Sequence, residues 1–273
     1  MPKQVIHTGS DDARPISGSA DDDFLWNDFL DSMEEGRAAL PSRWVSLFGP
    51  LQAGKVDRMM VVGQLGQSLD GRIATHTGHS KYINGPAGLA HLHRLRAVVD
   101  AVVVGIGTAL ADDPLLTVRL AAGRHPARVV IDPNGRVPAN ARLFAEDGVR
   151  RIVITTEHAV LDLPSGVEIL RLPSREGQLA PAEILQALAR SGLTRILIEG
   201  GARTLSGFIK AGCLDRVHVI VAPIILGSGR AGFDLTPIEW IDQAMRPPVL
   251  IHLLEGEVLF DCDLTAHRVR VNG

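Results

Sequence analysis

From about Arg58 onward, short runs of Val, Ile and Leu recur along the chain, each bounded by Gly, Pro or Asp: "RMMVVGQL", "DAVVVG", "ARVVID", "RRIVITT", "VEILRL", "TRILIEGG" and "DRVHVIVAP". Runs of this length and β-branched content predict strands. Between several of them lie stretches with helical spacing of apolar residues, "PAGLAHLHRLRAVV", "PAEILQALARSG" and "ARTLSGFIKAG". Continuous rather than alternating apolar strands, joined by helices, predict an α/β fold with a mostly parallel central sheet covered on both faces. After Pro223 the pattern changes: "PVLIHLLEGEVLFDCDL" reads as two strands joined at Glu255-Gly256, a C-terminal antiparallel hairpin. On the helix over 86–99, Leu89, Leu92, Leu95 and Val99 share one face, Arg96 borders it, and Arg94 is expected in solvent. His91 and His93 are two apart and lie on different faces, so no metal pair, and no metal site, is expected there.

The first part of the chain has a different texture. Residues 1–20 are polar and rich in Gly, Ser and Asp, which predicts disorder. Within "DDDFLWNDFLDSMEEGRAAL", Leu25, Trp26, Phe29, Leu30 and Met33 fall at helical spacing behind a first turn of acids, and Gly36 and Pro41 end the pattern. The short amphipathic helix so predicted docks either on its own domain or on a protein partner. The chain thus divides into an acidic N-terminal extension, partly disordered, over 1–55 and an α/β domain over 56–273. Residues 1–50 carry nine acids and four bases against a formal net charge of −3 for all 273 residues.

Composition removes several function classes. A slightly negative chain offers no general nucleic-acid or membrane surface. No apolar run approaches the roughly 20 residues of a membrane span, and "MPKQVIHTGSDD" has no secretory apolar core. Cys213 and Cys262 form no CxxC pair, so a reduced, cytoplasmic setting is expected, with both thiols as core filling.

Ligands of open α/β sheets bind beyond the carboxyl ends of the strands. Three such junctions carry candidate chemistry. In "QSLDGRIATHTGHSKYING", Asp70-Gly71 is turn chemistry in its own right, yet Ser68, Thr75, Thr77, Ser80 and Tyr82 beside Arg72 and Lys81 also suit the wall of a ligand site. In "VVVGIGTALADDPLLTVR", Gly105-Ile106-Gly107-Thr108 begins like a dinucleotide fingerprint, and "VVID" later supplies Asp132. Leu110 stands where a third glycine is needed, however, and Pro114 stops the helix after about two turns, too early for a crossover. A tight turn with free amides, the Thr108 hydroxyl and the pair Asp112-Asp113 remain. In "ILIEGGARTLSGFI", Gly200 and Gly201 admit a ligand close to the backbone, and the helix beyond them favours an anion such as a dinucleotide phosphate. Glu199 ends an apolar strand, and carboxylates are seldom buried without a function or a partner.

These pieces in this order, "SLDGRIAT", "SKYI" at 80–83, "HRLRA" at 93–97, "DAVVVGIGTALADDPLLTVR" at 100–119, "ILIEGG" at 196–201 and "VAPIILGSG" at 221–229, resemble the reductase domain of bacterial riboflavin biosynthesis, a relative of dihydrofolate reductase. The resemblance spans roughly Met60 to Leu264. It implies a dihydrofolate-reductase-like fold and NADPH as cofactor. The implied reaction is hydride transfer to C1′ of the ribosyl group of 5-amino-6-(5-phosphoribosylamino)uracil, or of its 2,5-diamino pyrimidinone counterpart, giving a ribityl chain. It places substrate contacts at Ser80, Arg96, Leu116, Arg119 and Glu199. Cofactor contacts fall at Gly66, Tyr82, Gly107, Thr108, Asp112, Gly200, Gly201, Ala202, Arg203 and Thr204. Asp112 and Glu199 are the implied catalytic acids, and the two arginines offer forked donors to phosphate and uracil oxygens. For the cofactor's 2′-phosphate, "RRIVITTEH" offers Thr155, Thr156 and His158 after a strand.

Three departures qualify the match. Gln64 stands where many bifunctional members carry lysine, and Tyr82 where a tryptophan is common. No H-x-E and no P-C-x-x-C occurs, so the chain is expected to be a stand-alone reductase without zinc deamination, by analogy a homodimer. The alternatives are an NADPH-dependent reductase of another pyrimidine, a pterin, or an imine or carbonyl compound, or a non-catalytic NADPH-binding interaction protein.

Overall fold

The computed structural model of the chain describes residues 6–8, 20–52 and 57–270. In chain order the elements begin with β1 (Ile6–Thr8), α1 (Ala20–Glu35), α2 (Arg43–Phe48), β2 (Met60–Ser68), β3 (Arg72–Ala74) and α3 (Pro86–Val98). There follow β4 (Ala101–Gly105), α4 (Ile106–Asp112), β5 (Ala127–Ile131), β6 (Arg151–Thr156), β7 (Glu168–Leu172) and α5 (Pro181–Arg190). The chain closes with β8 (Arg195–Glu199), α6 (Ala202–Lys210), β9 (Arg216–Ala222), β10 (Arg230–Ala231), β11 (Val249–Leu254) and β12 (Glu257–Asp263). Each Val/Ile-rich run forms a strand, and the three helical stretches form α3, α5 and α6.

Among the described residues, ten strands share one sheet in the order β1-β11-β12-β9-β2-β8-β4-β5-β6-β7. Every neighbouring pair is parallel except those of β12, which runs against both β11 and β9 and so supplies the expected C-terminal hairpin. Strand residues alternate between the two faces. Met60, Val62, Val102, Val104 and Leu197 pack beneath α3, whereas Val61, Val103, Val129, Ile196 and Ile198 pack beneath α5 and α6. Each such buried side chain contributes roughly 1.5–3 kcal/mol over its exposed state, so the sheet interior rather than strand propensity holds the fold.

The N-terminal helices form a second layer outside α3. Trp26 and Phe29 of α1 and Trp44, Leu47 and Phe48 of α2 are all buried in the same core as Leu95 and Val98. Trp26 stacks on Phe29 at 5.7 Å and meets Phe48 edge-on at 5.1 Å. The apolar face of the predicted helix therefore lies on its own chain. Two expectations change with it. Arg94, expected in solvent, is only 5% exposed: its guanidinium lies 4.3 Å from the Trp44 ring centroid and 5.6 Å from that of Trp26. The helical pattern of α3 shows one apolar stripe, and a cation can occupy the opposite face only because aromatic rings from elsewhere cover it. The expected disorder of 1–20 falls largely outside the described residues, but Ile6–Thr8 form an edge strand parallel to Val249–Ile251.

Candidate active site

Because β2, β8, β4 and β5 are parallel neighbours in this order, their carboxyl ends open on one edge of the sheet. A cleft of about 1710 Å³ lies there, bounded by Gln64, Leu65 and Gly66 of β2, Gly105 of β4, Ile131 of β5 and Gly200-Gly201 after β8. Its volume exceeds the ~300–1,000 Å³ of a single small-molecule pocket, enough for a cofactor and a substrate side by side. Gly66, Ser80, Tyr82, Gly107, Thr108, Asp112, Gly200, Gly201, Ala202, Arg203 and Thr204 all line it. Thr155, Arg96, Leu116, Arg119 and Glu199 do not.

One end of the cleft suits a dinucleotide. Gly105 passes so close to Thr204 that any Cβ would collide with the Thr204 hydroxyl, and Gly200, at φ +76°, sits against Thr108. The chain is thus stripped of side chains where it turns out of two adjacent strands. α6 starts immediately beyond, with Gly201 as its cap and no side chain satisfying its first amides. Those orphan donors, with the positive end of the helix dipole, could receive a pyrophosphate. Such a cofactor supplies the hydride when bound; its phosphates would be held by α6 and the hydroxyls of Thr108 and Thr204.

Thr155 does not serve as a cofactor contact. It is fully buried, and its hydroxyl donates to the Asp132 carbonyl at 2.7 Å, while Thr156 donates to the Pro133 carbonyl at 2.8 Å. Both tie β6 to the chain leaving β5, whose Asp132 carboxylate accepts the Val137 amide at 2.7 Å. The braced loop instead presents Asn134 and Arg136 to the cleft. Arg136 is exposed, and sequence reading passed over it. Its signal was "IDPNGR", a strand end followed by a turn and a cation.

Further along the same lining, Asp112 closes α4 and accepts a hydrogen bond from the Ser80 hydroxyl at 3.3 Å. Tyr82 is 87% exposed and holds a left-handed backbone at φ +69° at the mouth. Gln64 is buried and stands in register with Glu199 on one side and His218 on the other. A neutral amide therefore occupies this wall. "QSLDGRIA" resolves into both of its readings. Its Ile73 and Ala74 line the cleft, whereas Ser68 and Asp70 are turn chemistry: the Ser68 hydroxyl donates to Asp70 at 2.6 Å, and Asp70 accepts the Leu226 and Gly227 amides at 3.1 and 2.7 Å. These bonds, Ser68 first, hold the Asp70 carboxyl down at about 2.

Glu199 and Arg96 form one unit behind the cleft. Glu199 ends β8 on the same face as Leu197, which aims it at α3. There Arg96 donates from Nε at 2.9 Å and from Nη2 at 2.6 Å to its two carboxylate oxygens, and from Nη1 to the Thr117 carbonyl at 2.9 Å. The side chains are 12% and 6% exposed. The fork expected to take a substrate phosphate or uracil oxygen is thus already engaged, because a carboxylate so deep requires an ionic partner. Leu116 is likewise buried, at φ +54°.

Arg119 differs. Its side chain is exposed, with one contact from Nη1 to the Thr117 hydroxyl at 2.7 Å, and its amide donates to His93 Nδ1 at 2.9 Å. Burial and then the cations of Arg96 and Arg142 press its guanidinium below its ordinary range. Burial, then Arg96 and Arg119, likewise holds His93 down at about 4, so it is the neutral acceptor that the Arg119 amide needs. His91 turns the other way, its Nε2 3.0 Å from His218 Nδ1.

Comparison with known proteins agrees with this geometry. Residues 59–247 match the family model of the RibD C-terminal domain. The riboflavin biosynthesis protein RibD of Aquifex aeolicus is 36% identical over 194 residues, 70% of this chain and 53% of that protein. The chain spans about half the length of the RibD proteins it matches. The 2,5-diamino-6-ribosylamino-4(3H)-pyrimidinone 5′-phosphate reductase of Methanothermobacter thermautotrophicus is 36% identical over 193 residues, 68% of this chain but 87% of that protein. Among solved structures, a diaminohydroxyphosphoribosylaminopyrimidine deaminase/5-amino-6-(5-phosphoribosylamino)uracil reductase from Thermotoga maritima superposes with a TM-score of 0.65 at 30% identity, covering 75% of this chain and 56% of that one. On its sequence as on its fold, this chain belongs to the RibD C-terminal domain family.

Proposed function

We propose that residues 56–273 catalyse NADPH-dependent reduction of a 5-phosphoribosylamino pyrimidine, either the uracil or the 2,5-diamino pyrimidinone, to its ribitylamino product. The observation that carries this reading is one cleft lined both by an uncapped helix start and by Asp112 with Ser80. In the reaction the C1′–O4′ bond breaks as the amine nitrogen forms a C=N bond to C1′. O4′ takes a proton, hydride adds to C1′, and the C=N electron pair returns to nitrogen. The hydrogen bond between Ser80 and Asp112 supports a role for this pair in moving the proton as the sugar opens. Arg119, exposed and not itself among the residues that line the cleft, offers its guanidinium to the substrate's 5′-phosphate, while Arg96 and Glu199 hold the Thr117 backbone. The remaining work of the chain is orientation and exclusion of water.

Arg119→Ala is expected to raise KM for the phosphorylated substrate about ten- to thirtyfold, the scale of one charge-assisted hydrogen bond, with little change in kcat. An unchanged KM in steady-state kinetics would remove Arg119 from the substrate site.

NADPH is preferred over NADH, in this reading, through Arg136 at the adenosine end of the cleft. Arg136→Ala is expected to lower kcat/KM about tenfold or more with NADPH and to leave NADH turnover alone. Equal losses with both cofactors would show that Arg136 reads no 2′-phosphate. The reaction itself is tested by following NADPH oxidation with each of the two pyrimidines. Turnover of one identifies the substrate; NADPH binding without turnover of either would move the reading to another reducible compound.

A further inference from the structure

The N-terminal helices reach the loop that carries Arg119. That loop, residues 113–126, connects α4 to β5 and is fastened on its inner side by α3: Arg96 binds the Thr117 carbonyl and His93 accepts the Arg119 amide. Its outer side is fastened by α1. The Trp26 indole N–H donates to the Ala122 carbonyl at 3.0 Å, and Glu34 pairs with Arg124 at 2.6 Å. Between these contacts Gly123, at φ +130°, is pressed between the two helices. A Cβ there would stand 2.5 Å from the Ala97 Cβ of α3 and 3.6 Å from Leu30 Cδ1 of α1. α1 is itself locked to α3, since Arg94 packs against both Trp26 and Trp44 while Phe48 stacks on His91 at 5.4 Å. The loop is therefore a three-layer joint, with one wall supplied entirely by the extension.

We infer that the extension is a clasp that sets substrate affinity: Trp26, acting through the Ala122 carbonyl, is a positioning residue for Arg119. The inference rests on the reading of Arg119 as a substrate contact. The cofactor end of the cleft is bounded by α6 and the β5 loop, and none of the residues that line it belongs to the extension. The effect is accordingly confined to one ligand. A loop held on one side only samples more positions, so Arg119 meets the phosphate less often in the competent geometry.

The test compares wild-type enzyme with Trp26→Phe, which keeps an aromatic ring in the core but removes the donor. KM for the phosphorylated pyrimidine is expected to rise about three- to tenfold, the scale of one lost hydrogen bond, with kcat and KM for NADPH unchanged. In parallel, limited trypsin digestion is expected to cut faster after Arg119 and Arg124, a readout that needs no turnover. Leu30→Ala, which opens the wall against Gly123 and keeps every aromatic ring and the Trp26 donor, is expected to give the same pattern and serves if Trp26→Phe does not fold. Unchanged cleavage, or faster cleavage with an unchanged substrate KM, overturns the inference. So does a loss shared equally by substrate and NADPH, which marks general destabilisation. Faster cleavage in a protein whose wild type never turns over the pyrimidine keeps the clasp and refutes the proposed reaction instead.

Discussion

Asparagine at position 112 is expected to lower kcat by about a hundredfold or more while KM for NADPH stays within about twofold. The substitution preserves the shape of the α4 terminus and an oxygen that accepts from Ser80, which lies 3.3 Å away. It removes the capacity to hold and release a proton. In the proposed reaction that capacity matters when the C1′–O4′ bond breaks, since departing oxygen needs a proton before the chain can be reduced. A positioned acid–base group contributes on this scale, about 3 kcal/mol of barrier for each hundredfold. Single-turnover kinetics separate the step from product release. Wild-type rates in the variant would remove Asp112 from proton transfer and leave it a helix-end residue bonded to Ser80.

Removing the Glu199 carboxylate has a larger structural effect. Glu199→Ala leaves Arg96 charged and nearly enclosed with two of its donors unmet, and breaking a buried pair in this way costs about 3–5 kcal/mol. For a domain of this size the loss corresponds to roughly 10 °C in Tm. Glu199→Gln, which retains one acceptor, is expected to lose less. The double variant Arg96→Met with Glu199→Leu removes both charges and is expected to recover much of the stability. Its activity is expected to stay low, because Thr117 loses the donor that fixes the Arg119 loop. Thermal unfolding of the three proteins checks the assignment, and a single-variant cost below about 1 kcal/mol would contradict it.

The sheet was legible because its evidence is local. The main strands of the sheet interior are Val/Ile-rich runs bounded for the most part by Gly, Pro or Asp, and the switch to a hairpin follows from Glu255-Gly256 between two apolar runs. The cleft followed from the sheet, since glycines at strand ends signal close backbone approach wherever the fold places them. Contacts made across the chain were not legible. Arg94 reads as a solvent residue until Trp26 and Trp44 are brought over it from some 50 to 70 residues away. Arg96 and Glu199 were both singled out, yet nothing in their separate patterns says that they bind each other. Thr155 failed for a related reason: a hydroxyl at a strand end serves ligand or backbone alike, and the burial of β6 decides for the backbone. Arg136 carries no local signal beyond a cation after a turn; its loop reaches the cleft because Asp132 fixes it through the Val137 amide.

Hydride transfer to C1′ within this cleft is read out by isotope tracing. The protein would be supplied with NADPH deuterated at C4 on the transferred face and with each phosphoribosylamino pyrimidine, and the product mapped by mass spectrometry and NMR. One deuterium is expected at C1′ of a ribitylamino product from at least one of the two. Deuterium on the pyrimidine ring, or NADPH consumed with the ribosyl group intact, would contradict it.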